Sequence, residues 1–285
     1  PEAVAFTLLG AIESLLSARQ FLSPQLVGDR LYFISNLSGH LSLYRMDVGG
    51  SVPEPLLPAD IAMQNPHLMD GPSFVVFPKL WRILVLLDRD GDENYQPMTI
   101  PLSGGFPEPA FGDQLRNTRV HITDFDARSG LVYLLGESRQ REVLDTYFGN
   151  VETGELVKIA SSPFGQVPHG YSSDHQRVFL VEEYTVADSV LSIVDQSTGD
   201  QRVLYGNPLE DRQPNEEPAM TGFGYPAFTP DESGVLVLTS LFADTFQIGY
   251  LDLHAHDNLR TVQVVGEVHQ GDGEMVGLKH LTGNR

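Results

Sequence analysis

One order of features recurs five times along this 285-residue chain: turn, apolar strand, polar hairpin, apolar strand, turn, short strand. The first round has Leu31–Ser35, the hairpin Asn36–His40, Leu41–Met46 and a turn at Asp47–Gly50. The second has Trp81–Leu87, the loop Asp88–Asn94, a strand near Gln96–Leu102 and a turn at Ser103–Gly105. The third has Leu131–Leu135, Val143–Phe148 and a turn at Glu152–Gly154. The fourth has Arg177–Val181, Ser189–Val194 and a turn at Gln196–Gly199. The fifth has Val235–Thr239, Phe246–Leu251 and a turn near His256–Asn258. A sixth round begins near Glu274 and runs to Arg285. The turn glycines Gly50, Gly105, Gly154 and Gly199 follow one another at 55, 49 and 45 residues. A unit of this size is a small sheet that cannot bury both its faces alone, so the units must stack.

The first apolar strand of each round is a nearly continuous run, as in sheets covered on both sides. The hairpin strands alternate more, as nearer a solvated rim. The period predicts an all-β β-propeller over residues 19–285, with five recognisable four-stranded blades and the start of a sixth. Residues 1–18 are expected to form a short amphipathic helix packed on the propeller, because Leu8, Leu9, Ile12, Leu15 and Leu16 fall on one helical face. That stretch is too short to cross a bilayer and lacks the basic start of a secretory leader. The start at Pro1 leads us to expect an upstream residue or segment. The sixth round leads us to expect a ring cut before closure, with an open blade edge available for self-association.

The formal net charge is −20. Such a surface repels phosphate backbones and anionic headgroups, so neither nucleic acid nor membrane is an expected partner. Cationic ligands, metal ions and basic peptides are attracted, and solubility alone accounts for the charge equally. There is no cysteine, which excludes disulfides, thiolate metal sites and a cysteine nucleophile. The expected compartment is the cytoplasm, with the periplasm as the alternative.

Tyr225-Pro-Ala-Phe-Thr-Pro-Asp-Glu-Ser-Gly234 sets a tight turn before the fifth apolar strand: Pro230 presets φ, Asp231 caps and Gly234 is expected to take a positive φ. Ser23-Pro24 with Gly28 reads as a degenerate version in the first round. The acidic hairpin Asp88-Arg-Asp-Gly-Asp-Glu-Asn-Tyr-Gln96 and the pair Gly104-Gly105 complete the pattern. On these turns the chain resembles the propellers of prolyl oligopeptidase family serine peptidases, nearest the acylaminoacyl-peptidase-like branch, and more distantly TolB-like propellers. The resemblance implies a C-terminal α/β-hydrolase domain with a Ser-Asp-His triad in the parent protein, and a propeller that admits only short peptides to it. No Gly-x-Ser-x-Gly elbow is present. Gly71-Pro-Ser73-Phe-Val75 and Gly170-Tyr-Ser172-Ser-Asp174 both lack the second glycine, and strands do not alternate with helices. We therefore assign no catalytic residue and expect this chain alone not to hydrolyse. The alternative is a stand-alone TolB-like propeller that binds a protein or peptide. A third reading is a propeller lyase or glycosidase with axial carboxylates, which no sequence feature places.

Asp88, Asp90, Asp92 and Asn94 offer several oxygens from one short loop, the donor set of Ca²⁺. The loop departs from the EF-hand pattern, and a solvated hairpin tip with local turn bonds explains it equally. Glu182-Glu183 ends the fourth apolar strand, and in dipeptidyl-peptidase relatives such a pair grips a peptide's amino terminus; Glu216-Glu217 is a second pair. His254 and His256 have the spacing of a zinc pair on a strand, without an evident third ligand, and the segment reads equally as the turn of the fifth blade. His169 and His175 read as hydrogen-bonding links between blades, and Trp81 as inter-blade packing. Gly222-Phe-Gly-Tyr-Pro-Ala227 matches a dinucleotide fingerprint, but Pro226 and Pro230 forbid the helix it must open.

Overall fold

A computed structural model describes residues 18–214, 222–255, 259–263 and 275–278. The expected N-terminal helix, Glu216-Glu217, His256 and most of the sixth round lie outside the described residues.

The chain forms five four-stranded antiparallel sheets, each a simple meander. They fall into two compact units. The first holds β1 (Phe21–Val27), β2 (Arg30–Ser35), β3 (Ser42–Asp47) and β4 (Glu54–Pro55), then β5 (Phe74–Phe77), β6 (Arg82–Leu87), β7 (Gln96–Pro101) and β8 (Glu108–Pro109). The second holds β9 (Thr118–Asp126), β10 (Leu131–Ser138), β11 (Leu144–Asn150) and β12 (Glu155–Ser162); β13 (Gln166–Tyr171), β14 (Arg177–Thr185), β15 (Asp188–Asp195) and β16 (Gln201–Tyr205); and β17 (Phe223–Phe228), β18 (Gly234–Thr239), β19 (Gln247–Asp252) and β20 (Arg260–Thr261). The apolar runs read from sequence are the second and third strands of each sheet.

The continuous apolar run in β14 has a direct cause. Successive residues of a strand point to opposite faces. Val178 and Leu180 pack with Tyr133 and Val194 on one side. Phe179 and Val181 pack with Phe228, Val235 and Val237 of the next sheet on the other. Both faces are buried, so no position can be polar until Glu182. In the first unit Tyr32, Ile34, Leu43, Phe74, Val76 and Ile83 form the corresponding layer between the two sheets.

Ser23-Pro24 is not a turn. It lies inside β1, where the register shifts between Leu22 and Gln25 and Ser23 takes φ 49°. The turn is Gly28-Asp29. The same bulge recurs in β13, at Gly170 (φ 65°), and in β17, at Tyr225 (φ 51°). A bulge sharpens the bend of a first strand, and the left-handed residue it requires need not be glycine. Trp81 does not pack between sheets. It sits at a turn with φ 55° and is 74% exposed.

The Thr229–Gly234 turn forms with Asp231 as its cap: the Thr229 hydroxyl donates to Asp231 at 2.6 Å, and the Asp231 carboxylate accepts from the Ser233 amide at 3.2 Å. The residue at positive φ is Glu232 (φ 55°), not Gly234, which opens β18 with extended backbone. Ser172-Ser-Asp174-His-Gln-Arg177 folds identically without Pro or Gly, with Ser172 to Asp174 at 2.6 Å and the Gln176 amide to Asp174 at 3.0 Å. Left-handed Glu232 and His175 occupy equivalent positions. Glu232 joins the two turns. Its carboxylate accepts from the Ser173 amide at 2.6 Å and from the Arg177 guanidinium.

This seam should weaken in acid. Partial burial alone would raise the Glu232 pKa, but the Ser173 and Arg177 bonds outweigh it and hold it below the usual glutamate value. The Thr229 hydroxyl, then Ser233, hold Asp231 at about 2. Folded-state values below the unfolded ones mean stability that is complete above about pH 4.5 and is lost as pH falls toward about 2. Denaturant midpoints measured from pH 6 to pH 2 should fall through that window, and Glu232→Gln should flatten the fall.

Candidate functional site

The β14–β15 hairpin carries the only candidate whose side chains converge among the described residues. Its strands have nine and eight residues, against eight and seven in β10 and β11 and six in β2, β6 and β18. The extra length lifts Glu182–Asp188 beyond the apolar layers. Glu182 is half-buried and accepts from the Ser162 hydroxyl, from Gln166 Nε2 at 3.1 Å and from the Tyr184 hydroxyl at 3.5 Å. A carboxylate has about four acceptor positions, so about one remains for an external donor. Glu183 is exposed. As neighbours on a strand, Glu182 and Glu183 point to opposite faces, and the structure does not bring them together as two prongs.

Tyr184 stands above Glu182 with the Phe164 ring edge-on at 5.0 Å. Arg212 comes in from the 206–214 segment. It makes two charged bonds to Asp188, at 2.7 and 2.8 Å, donates to the Asn207 carbonyl at 2.9 Å and lies 5.0 Å over the Tyr184 ring. The Asp188 and Arg212 side chains are only 9% and 11% exposed. Bidentate, desolvated pairing of this kind fixes geometry as well as charge. Burial, and then the charges of Glu182 and Glu210, push the Tyr184 phenol up. Sequence reading missed Arg212 and Asp188. The only signal was an arginine in a polar connection, and nothing local announces a partner 24 residues away.

The Ca²⁺ reading of Asp88, Asp90, Asp92 and Asn94 finds no support in the geometry. Asp88 accepts from Gln64 at 2.8 Å and from the Glu93 amide at 3.2 Å. Asp92 accepts from the amides of Asn94 at 2.9 Å and Arg89 at 3.3 Å. Asp88 and Asp92 are taken up by Gln64 and by amides of the loop, with Asp90, Gly91 and Glu93 at positive φ. Among the described residues no three His, Cys, Asp or Glu side chains are placed to hold a metal ion. His254 is not on a strand; it lies in the bend after β19, where its amide donates to Asp252 at 2.8 Å.

The reading of His169 and His175 as hydrogen-bonding links between blades is met at His175; at His169 the contact across sheets is between rings. His175 stacks on Tyr171 at 4.3 Å, and its Nδ1 is 2.9 Å from the Tyr133 hydroxyl of the preceding sheet. His169 of β13 lies 6.0 Å from the Tyr225 ring of β17, and burial pushes its pKa down to about 4. Gly222–Ala227 enters a strand, not a helix. No described helix is long and apolar enough to cross a membrane.

Neither a family model nor any curated protein matches the chain. Solved structures do. A puromycin-hydrolysing peptidase of Mycobacterium tuberculosis superposes with TM-score 0.59 at 12% identity, over 87% of this chain and 38% of that one. A structure from a study of two prolyl endopeptidases gives 0.58 at 10%, over 85% and 36%. A TolB protein of Agrobacterium tumefaciens gives 0.51 at 16%, over 85% and 80%. At these identities the likeness establishes the β-propeller fold. The neighbours are the propeller portions of prolyl oligopeptidase family peptidases and TolB-like propellers, the two groups that the turn motifs resemble. The chain spans less than two fifths of each of these peptidase structures.

Proposed function

We propose that this chain is the propeller portion of a prolyl oligopeptidase family serine peptidase, which gates the access of short peptides and docks on an α/β-hydrolase domain of the same parent protein. The observation that supports this is the pattern of coverage: 83–87% of the chain lies on 36–39% of peptidase structures. In those structures the matched part is the propeller. The acidic hairpin at Asp88–Gln96 and the Thr229–Gly234 turn point the same way. In this reading chemistry belongs to the hydrolase domain, and the propeller's side chains select and exclude.

The expected result is that the purified chain neither hydrolyses acyl-amino-acid p-nitroanilides nor is labelled by a fluorophosphonate. Its coding frame, read past the codon for Arg285, should carry a Gly-x-Ser-x-Gly elbow at a strand-to-helix turn. A frame without any elbow removes the peptidase reading. It leaves the second one, a TolB-like propeller that binds a protein or peptide, which the 80% coverage of the Agrobacterium structure favours.

A further inference from the structure

The end of the β14–β15 hairpin carries apolar side chains that the fold does not use. Val186, at the tip, is 93% exposed. The neighbouring Ala187 takes φ 63°, a position that glycine or asparagine fills more cheaply. Phe164 is 48% exposed and Leu209 41%. Tyr184 gathers two of these: the Phe164 ring meets it at 5.0 Å, and the Leu209 amide donates to its hydroxyl at 3.3 Å. Val186 follows two residues later, at the tip of the same hairpin. The Arg212–Asp188 pair pins the segment that supplies Leu209.

Among the described residues, the charges at this face that no ion pair engages are carboxylates. Glu210 and Asp211, next to Leu209, are exposed. Both Glu182 and Glu210 act electrostatically on the Tyr184 phenol. Arg212, the cation beside them, is engaged by Asp188. An apolar floor beside unneutralised carboxylates complements an apolar side chain flanked by cations.

We infer that Phe164, Tyr184, Val186 and Leu209 form a docking surface for a polypeptide segment that presents a bulky apolar residue next to lysine or arginine. The inference stands whether or not the parent protein is a peptidase, because it needs neither a hydrolase domain nor a free amino terminus.

Three fluorescein-labelled peptides with blocked ends test it by anisotropy on the full chain: Lys-Leu-Phe-Lys, Glu-Leu-Phe-Glu and Lys-Ser-Ser-Lys. The first should bind at least about tenfold more tightly than either other, with affinity falling as salt rises. Val186→Ser and Phe164→Ser should each weaken it by about fivefold or more. Glu210→Lys should weaken it further at low salt. Val186 and Glu210 touch no core layer, so circular dichroism should be unchanged in their variants. Equal affinity for the three peptides, no measurable binding of the first, or binding indifferent to Val186→Ser and Glu210→Lys would each overturn the inference. So would a concentration-dependent dimer in light scattering that Val186→Ser disperses, since the surface would then be taken by a second copy of this chain.

Discussion

Gly170→Ala is expected to destabilise the second unit by about 3 kcal/mol or more. Gly170 has φ +65°, where a side chain costs about 1–2 kcal/mol from its own carbonyl crowding. The larger cost is external. A Cβ on Gly170 would overlap the Pro226 carbonyl oxygen of β17 and crowd its carbonyl carbon. Backbone on a neighbouring strand cannot rotate away as a side chain can. The two first strands must part, and overpacking of this kind adds about 1–3 kcal/mol. The measurement is thermal unfolding, with a midpoint lowered by about 10 °C. The control is Gly199→Ala, also at positive φ but with open space around its Cβ, where the loss should be about 1–2 kcal/mol. Equal losses at the two positions would show that the seam between β13 and β17 is looser than described.

Arg212→Ala is expected to cost about 3–5 kcal/mol. The penalty is less the lost attraction than the Asp188 carboxylate left desolvated and unpaired. Asp188 is 6% exposed, so water cannot readily replace the guanidinium. The check is urea unfolding read at the midpoint, with the slope unchanged. The double variant Asp188→Leu/Arg212→Leu should recover most of the loss, because two apolar groups there strand no charge. If Arg212→Ala and the double variant are equally unstable, the pair acts through packing on Tyr184 instead. Arg212→Ala should also speed proteolysis within 206–214, a segment whose described anchors include Arg212 and the Leu209–Tyr184 bond.

The repeat was legible because each sheet's second strand is a nearly continuous apolar run, its third strand is apolar again, and strong turn residues join them. The first strands were not. β1 is interrupted by Ser23-Pro24 and β17 by Tyr225-Pro226, and a bulge looks like a turn when only the residues are seen. The Ser172–Arg177 turn was hidden for the opposite reason: it reproduces the Thr229–Gly234 geometry with neither Pro nor Gly, through a hydroxyl and a carboxylate alone. Trp81 misled because large aromatic residues are usually buried, and this one caps a turn toward solvent. At the hairpin, the sequence offered the doublet Glu182-Glu183 as a unit. Strand alternation divides it, and the partners that shape Glu182 come from Ser162, Gln166 and Tyr184. Such convergence depends on distant segments, and no window of sequence contains it.

The split allegiance of β14, with Val178 and Leu180 serving one layer and Phe179 and Val181 the other, restricts how this gene can change length. Deleting or inserting one residue there would hand each layer the other's side chains, while a change of two would preserve both. Drift in length is therefore steered out of the strands and into the connections. That is a mechanical reason why the blade-to-blade spacing wanders from 55 to 45 residues while the strands stay in phase.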